Sequence, residues 1–258
     1  MKGVVLAGGL GTRLWPLTKV INKHLLPVGA YPMIYYPIGT LVEAGIRDLM
    51  IVTGGNNAGM FHELLGNGCE FGLEHINYTH QGAPAGIADA LKLAAHFIEG
   101  ERFVVILGDN VLGGSIRRHV ESFAQQERGA KILLAKVDDP SDTGVAVLDE
   151  QGRVTRIVEK PRERISDYAV IGVYMYDELV WEIVPELTPS GRGELEITDV
   201  NNAYLQRGLL TADVLDCDWG DAGRSPEYLV EAGVIACRNN LLSQFEGLRR
   251  APGVRPTL

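Results

Sequence analysis

The sequence predicts an α/β domain: a mostly parallel sheet with helices on both faces, continued by a smaller antiparallel portion. Three observations predict it. Short apolar runs at Val4–Leu6, Asp48–Thr53 and Phe103–Leu107 read as buried strands. The intervals between such runs are long enough for crossover helices, which parallel strands need. From Ala130 onward, short strands follow one another with only turn signals between them, the pattern of antiparallel pairing.

The elements follow in order. After the first strand comes Ala7-Gly8-Gly9-Leu10-Gly11, a loop with almost no side-chain bulk. Residues 32–44 have helical spacing at Met33, Tyr36, Leu41 and Ala44, and Pro37 is expected to break that helix. Asp48–Thr53 is a strand closed by Gly54 and Gly55. Residues 60–65 read as a helix stopped at Gly66, and 73–79 as an alternating strand. Ile87, Leu91, Ala94, Ala95 and Ile98 stripe one face of a single predicted helix. Phe103–Leu107 (FVVIL) is the most strand-like run. Residues 130–137, 144–148, 153–159 and 168–176 are further strands, and 197–206 and 226–242 read as helices. Ser225-Pro226-Glu227 is a good helix start: a capping hydroxyl, proline at the first position, then an acid. No linker rich in Gly, Ser or Pro divides the chain. Residues 1–242 are therefore expected to form a single domain, with 243–258 as a flexible tail containing Pro252, Gly253 and Pro256.

Bulk properties exclude several classes. The chain has 258 residues, 46% of them hydrophobic, so a sizeable core is available. A net charge of −9 and a pI near 5.2 argue against general binding to nucleic acid or anionic membranes. Its expected partner is a small anion in a local cationic pocket. Cys69, Cys217 and Cys237 have no paired spacing, so a reducing cytoplasm is expected rather than a disulfide framework. No signal peptide is apparent, and no apolar run approaches the roughly 20 residues that span a bilayer. The six histidines have no paired metal spacing, and no G-x-S-x-G nucleophile elbow occurs. His24, beside Lys23, reads as packed or solvated.

The opening stretch carries the strongest chemical signal. A glycine loop after a parallel strand lets the main chain approach a ligand, and successive N–H groups can cradle phosphate oxygens. Arg13 adds a fixed charged fork and Lys23 a mobile point charge. The loop matches neither G-x-x-x-x-G-K-[ST] nor G-x-G-x-x-G. It does resemble the L-A-G-G-x-G-T-R-L-x-P-x-T signature of sugar-1-phosphate nucleotidyltransferases. Their later K-x-x-x-P-V is also present, at Lys23–Val28. Within that family the chain resembles the glucose-1-phosphate thymidylyltransferase branch, in a short form without the C-terminal helical extension.

The resemblance implies a Rossmann-like nucleotide-binding sheet, with the antiparallel portion binding the sugar: the nucleotide-diphospho-sugar transferase fold. It implies transfer of a nucleotidyl group from dTTP, with UTP as an option, to a sugar 1-phosphate, with Mg²⁺ as cofactor. Leu6, Gly8, Gly9, Gly11, Thr12 and Arg13 would meet the nucleotide. Gly108-Asp109-Asn110 follows FVVIL, and an aspartate at a strand's carboxyl end near a phosphate loop can hold Mg²⁺. Asp109 is the expected ligand, and Asp221 of Trp219-Gly220-Asp221-Ala222-Gly223 the second. That string departs from W-x-D-T-G at Ala222 and carries glycine at 220, and Asp216 and Asp218 stay open as alternative ligands. Gln81 and Gly86 match the positions that read a pyrimidine edge, which suits an amide's donor and acceptor. Glu159 and Lys160 match the sugar and sugar-phosphate contacts, with Gly144, Val170 and Tyr174 completing the pocket. Thr143 stands where the branch has tyrosine. Gly193–Asp199 reads G-E-L-E-I-T-D in full, and its glutamates, Glu194 first, either bond sugar hydroxyls or cap a helix.

In this reading Arg13, Lys23, Asp109 and Lys160 are the catalytic group. Three alternatives stay open: a uridylyl- or cytidylyltransferase on the same sugar phosphate, a non-catalytic regulatory relative, and a glycosyltransferase using Asp216-Cys217-Asp218 as a D-x-D motif. The preferred sugar and the oligomeric state, a homo-oligomer among the options, are also open.

Overall fold

Strand β1, Lys2–Ala7, runs through the middle of a nine-stranded sheet. Its side chains alternate as a strand buried on both faces requires: Val5 and Ala7 enter one core, Val4 and Leu6 the other. The computed structural model describes residues 1–55 and 58–249. After β1, Pro27–Val28 (β2) and Tyr31–Pro32 (β3) form a small antiparallel pair. They lead into α1, Tyr35–Glu43. Pro37 does not break this helix. It lies in the first turn, where amides have no partner four residues back and a missing N–H costs little.

Three more strands lie parallel beside β1. β4 (Asp48–Gly54) pairs with β1, β5 (His75–Gln81) with β4, and β6 (Phe103–Leu107) with the other side of β1. Helix α2, Ala58–Leu65, connects β4 towards β5. The helix expected over 87–98 is instead two pieces, α3 (Ile87–Lys92) and α4 (Ala95–Ile98). Leu93 and Ala94 donate to carbonyls three residues back, which tightens the chain between them. The apolar stripe survives, because Leu91, Ala94 and Ile98 are all buried. Since the chain passes from β1 to β4 and β5 on one side and returns to β6 on the other, β1 and β6 flank a topological switch point. Their carboxyl ends carry the glycine loop and Asp109.

The second half extends the same sheet. A short strand β7 (Asn110–Leu112) and helix α5 (Arg117–Gln125) precede β8 (Ala130–Lys136), β9 (Gly144–Leu148), β10 (Val154–Glu159) and β11 (Tyr168–Tyr176). β11 is antiparallel to β6, β8 and β9. Its first residues pair with β9 and its last with β6, and its register with β8 shifts between Val170 and Tyr174. That shift is a bulge in the β11–β8 ladder. α6 (Val180–Ile183) and α7 (Ile197–Gln206) cover the face that holds Val4 and Leu6. β12 (Leu210–Val214) adds parallel to β8, and β13 (Trp219–Asp221) pairs with β7.

Helix α8, Pro226–Arg238, packs on the opposite face with α1 and α5. The hydroxyl of Ser225 caps it by accepting from the amide of Tyr228. It ends four residues before Leu242, where Asn240 takes a left-handed φ of 54°. Leu241–Arg249 then forms a 3-10 helix. Phe245 is 2% exposed and packs edge-on against Tyr31, Tyr35 and Tyr36. Of the expected flexible tail, Phe245 and Leu248 therefore pack on the domain, and 250–258 lie outside the described residues.

Candidate active site

The glycine loop leaves β1 at the switch point. Gly11 takes a φ of 66°, and a Cβ there would lie 2.8 Å from Thr18 Cγ2, so the turn needs glycine. Thr18 Oγ1 donates to the Gly11 carbonyl at 2.8 Å and closes the loop. Thr12 and Arg13 sit on the following 3-10 turn, Thr12–Leu14, which is pinned by buried Leu14. Arg13 is exposed and makes no ion pair with any described residue. A guanidinium left without an internal counter-ion is available to an anionic ligand.

Lys23 is placed differently. It is only 9% exposed, and its ammonium lies 2.5 Å from Asp109 Oδ2. Asp109 itself is 6% exposed, and its Oδ1 accepts from Asn110 Nδ2 at 3.2 Å. Burial pushes this carboxyl up, but the charges of Lys23 and its neighbours outweigh burial and hold it well below the usual carboxylate range. His24 is packed beneath. Burial, with Lys23 beside it, lowers it to about 3, so its ring is neutral. The Asn22 amide nitrogen donates to the carbonyls of Ala7 and Gly54, which leaves its oxygen to accept from His24 Nδ1 at 2.8 Å. That network ties residues 22–24 to the ends of β1 and β4.

Asp221 joins this group through β13. Asp221 lies opposite Asn110 in the β7–β13 ladder, and the amide of Ala222 donates to the Asp109 carbonyl at 2.9 Å. The Gly223 amide donates to Asp221 Oδ1 at 2.9 Å. A Cβ on Gly223 would fall 2.5 Å from Asp109 Oδ2, so glycine is what lets this turn close on the first carboxylate. Burial raises Asp221 to about 6, and the negative charge of Asp109 adds to the rise, against Lys23 and Arg13. A buried carboxylate and a half-buried one that repel each other, with a lysine ammonium on the first, form a hard oxygen set short of positive charge. That donor chemistry fits a divalent cation such as Mg²⁺. Asp216 pairs instead with Arg118 at 3.0 Å, and Asp218 with Arg238 and Asn239 at 3.1 and 2.8 Å. Among the described residues one trio, Asp48, Glu74 and His75, also brings three donor atoms close. It lies at the amino ends of β4 and β5, remote from Asp109.

Asn110 is the residue that sequence reasoning did not single out. Its side-chain oxygen accepts from Trp219 Nε1 at 2.7 Å and from the Gly172 amide at 3.0 Å, inside the β11 bulge. One buried amide thus links Asp109, the strand carrying Asp221 and the strand carrying Val170 and Tyr174.

The other expected contacts form two groups. Gln81, at the end of β5, donates to the Gly86 carbonyl at 3.2 Å and to Asp89 at 3.0 Å. This loop is stitched to the G-E-L-E segment: the Leu195 amide donates to Ala85, and the Ala88 amide to Leu195. On the antiparallel side, Gly144, Glu159 and Val170 lie on adjacent strands, and Tyr174 is buried further along β11. Lys160 adopts φ 42°, an uncommon conformation for a side-chain-bearing residue, and its amide donates to Thr143 at 3.0 Å. Glu194 lies 3.7 Å from Arg192, while Glu196 bonds Arg192 and Ser190. Glu196 is at the start of α7 but makes no side-chain cap. A 510 Å³ cavity lined by Thr143, Trp219, Arg224 and Tyr228 borders Asp221.

A family profile described as nucleotidyl transferase matches residues 2–235. The chain belongs to the nucleotidyl transferase family. Among its relatives, the glucose-1-phosphate thymidylyltransferase of Neisseria meningitidis is 42% identical over 235 residues, 90% of this chain and 81% of its own. That of an Actinoplanes species is 44% identical over 225 residues, 86% and 74% of the two chains. A Bacillus anthracis protein assigned as a glucose-1-phosphate thymidylyltransferase, crystallised with sucrose, is 50% identical. It superposes with a TM-score of 0.87 over 92% of this chain and 95% of its own. A UDP-glucose pyrophosphorylase bound to UDP-glucose is 28% identical, with a TM-score of 0.81 over 92% and 98%. Both solved relatives share the α/β fold described here, as expected of nucleotidyl transferases.

Proposed function

We propose that this nucleotidyl transferase moves a thymidylyl group from dTTP to glucose 1-phosphate, giving dTDP-glucose and pyrophosphate. The observation that carries the reading is the meeting of Asp109 and Asp221, far apart in sequence, beside Lys23 and the Arg13 loop. The names of the relatives at 42–44% identity support dTTP and glucose 1-phosphate as substrates. UTP is the second reading, favoured by the more distant UDP-glucose pyrophosphorylase.

The chemistry follows from charge. A phosphate oxygen of the sugar 1-phosphate attacks the α-phosphorus; the new P–O bond forms as the bond to the β-phosphate oxygen breaks, and pyrophosphate leaves with the electron pair. The nucleophile is already an anion, so no strong base is required. The protein must hold two polyanions in line and neutralise their charge. A divalent cation held by Asp109 and Asp221, Mg²⁺ by the donor type, would supply charge neutralisation at the phosphates. Arg13 and the amides of Gly8, Gly9 and Gly11 stabilise the leaving pyrophosphate. Lys23, now on Asp109, sets that carboxylate beside the phosphates. Lys160 holds the sugar phosphate, Glu159 the sugar, and Gln81 and Gly86 the pyrimidine edge. The absence of a membrane-crossing helix among the described residues and three unpaired cysteines support action in a reducing cytoplasm. Pyrophosphate release is measured with dTTP, UTP or CTP, with and without glucose 1-phosphate and Mg²⁺. The expected result is release only with sugar phosphate and metal, fastest with dTTP. Release that ignores glucose 1-phosphate, or none with any triphosphate, contradicts the proposal.

A further inference from the structure

The carboxyl ends of β1, β4 and β5 lie side by side, and Gln81, the last residue of β5, reaches across Gly54 towards the glycine loop. A methyl group placed on Gly8 would lie 2.9 Å from Gln81 Oε1, and one on Gly54 would lie 2.4 Å from the Gly8 carbonyl oxygen. Gln81 is 8% exposed, and its amide nitrogen spends both protons inside the protein. It donates to the Gly86 carbonyl at 3.2 Å and to Asp89 Oδ2 at 3.0 Å. Neither partner can donate, so a flipped amide would set its oxygen against two acceptors. The Gly86 carbonyl is held in place: Gly86 has a φ of 101°, and a Cβ there would fall 2.4 Å from the Leu195 carbonyl oxygen. Asp89 stands in the first turn of α3, with Lys92 3.8 Å away. Oε1 is left over. It accepts from no described residue, and it is not one of the polar atoms sealed without a partner, which are Trp181 Nε1 and Asn201 Nδ2. It therefore opens beside the loop as a bare acceptor.

We propose that Asp89 is a positioning residue for base selection: it locks the Gln81 amide in one orientation, so that an acceptor and never a donor faces the base. That role rests on the base contact proposed above for Gln81. A ring edge that meets Oε1 must donate, as the N3–H of thymine or uracil does. Cytosine has a lone pair at N3, and two acceptors facing each other there repel. Rejecting a base that cannot make the bond is the strong form of discrimination, because the protein's own polar group is left unpaired. In Asp89→Asn the new side chain either accepts or donates. Both orientations of Gln81 are then supported, and the flipped one offers cytosine N3 a donor.

The test uses the full-length protein with glucose 1-phosphate and Mg²⁺, and compares dTTP with dCTP by pyrophosphate release. In the wild type kcat/KM should favour dTTP by about 100-fold or more. Asp89→Asn should shrink that preference at least about tenfold, with KM for dTTP raised, kcat/KM for dCTP increased, and KM for glucose 1-phosphate within about twofold of wild type. Asp89→Glu keeps a carboxylate and should hold the preference within about threefold of wild type. An acid that only favours the start of a helix would change Tm and leave the preference where it was. Should the asparagine variant fail to fold by circular dichroism, Asp89→Ala takes its place in the same comparison. A wild type that uses dCTP as well as dTTP, or a preference that the variant leaves untouched, overturns the assignment while nucleotidyl transfer itself stands. A wild type that releases no pyrophosphate with either triphosphate overturns the transfer reading, and this assignment with it.

Discussion

The two carboxylates at the switch point have the same chemistry and opposite surroundings. Asp109 is at the end of a parallel strand with Lys23 2.5 Å away, and its charge is stabilised. Asp221 comes from a short antiparallel strand, has no ion-pair partner among the described residues, and is raised to about 6 by burial and by Asp109. Paired and unpaired charges also stand side by side in the rest of the site, divided the other way round. On the antiparallel side the charges are paired before any ligand arrives, as in Glu159–Arg192–Glu196. On the parallel side Arg13 stands exposed. Removing a charge from the paired group should therefore harm folding and function together, whereas removing an unpaired one should harm function alone.

The largest expected effect is that of Asp109→Asn. Turnover should fall by about 1,000-fold, a size seen when one strong charge-stabilising group is lost. Stability should fall on the order of 3 kcal/mol, because Lys23 is left buried without its counter-charge. Denaturant titration of the variant checks the second half. Arg13→Ala should cost about 100- to 1,000-fold in turnover. Because Arg13 is exposed and unpaired, its Tm should move by less than about 2 °C. A large drop in Tm would show that Arg13 is part of the folded framework, and the comparison would fail.

Asp221→Asn should cost comparable activity yet leave the apo protein as stable as wild type, or more so, at pH 7. The pH dependence gives the sign. A carboxyl raised in the folded state binds its proton more tightly than in the unfolded chain. As pH falls from 7 through about 6 towards the ordinary value of 3.8, this group's destabilising contribution is relieved. The Asn variant should lack that slope in urea midpoints measured across the same range. A smaller effect is expected far from the site. Asp213 is lowered to about 2, first by its hydrogen bond from His119 and, against burial, by Lys131. Its contribution is present above 3.8 and lost as pH falls through about 2. Asp213→Asn should flatten the acid limb of the stability curve without touching turnover.

Much of this arrangement is legible in the sequence. Periodicity marks β1, β6, β9 and β11, because strands buried on both faces are continuous apolar runs. The capped start of α8 is local chemistry and equally visible. Contacts between residues distant in the chain leave no local trace. Nothing in Lys23 or Asp109 announces their pairing, nor does Thr198 announce Glu159 or Asn110 announce Trp219. Pro37 misleads because its cost depends on its place within a helix. The stripe from Ile87 to Ile98 records which residues face the core, and two short helices satisfy it as well as one. The stretch from 243 reads as a tail because the contact that holds it, Phe245 on tyrosines more than 200 positions earlier, leaves no local trace.

The central claim is that Asp109 and Asp221 together hold one divalent cation. Electron paramagnetic resonance of Mn²⁺ titrated into the protein with dTTP present tests it most directly. The account predicts tightly bound Mn²⁺ in the wild type, displaced by Mg²⁺, with affinity lowered at least about tenfold in both Asp109→Asn and Asp221→Asn. Binding that both variants leave unchanged would contradict it.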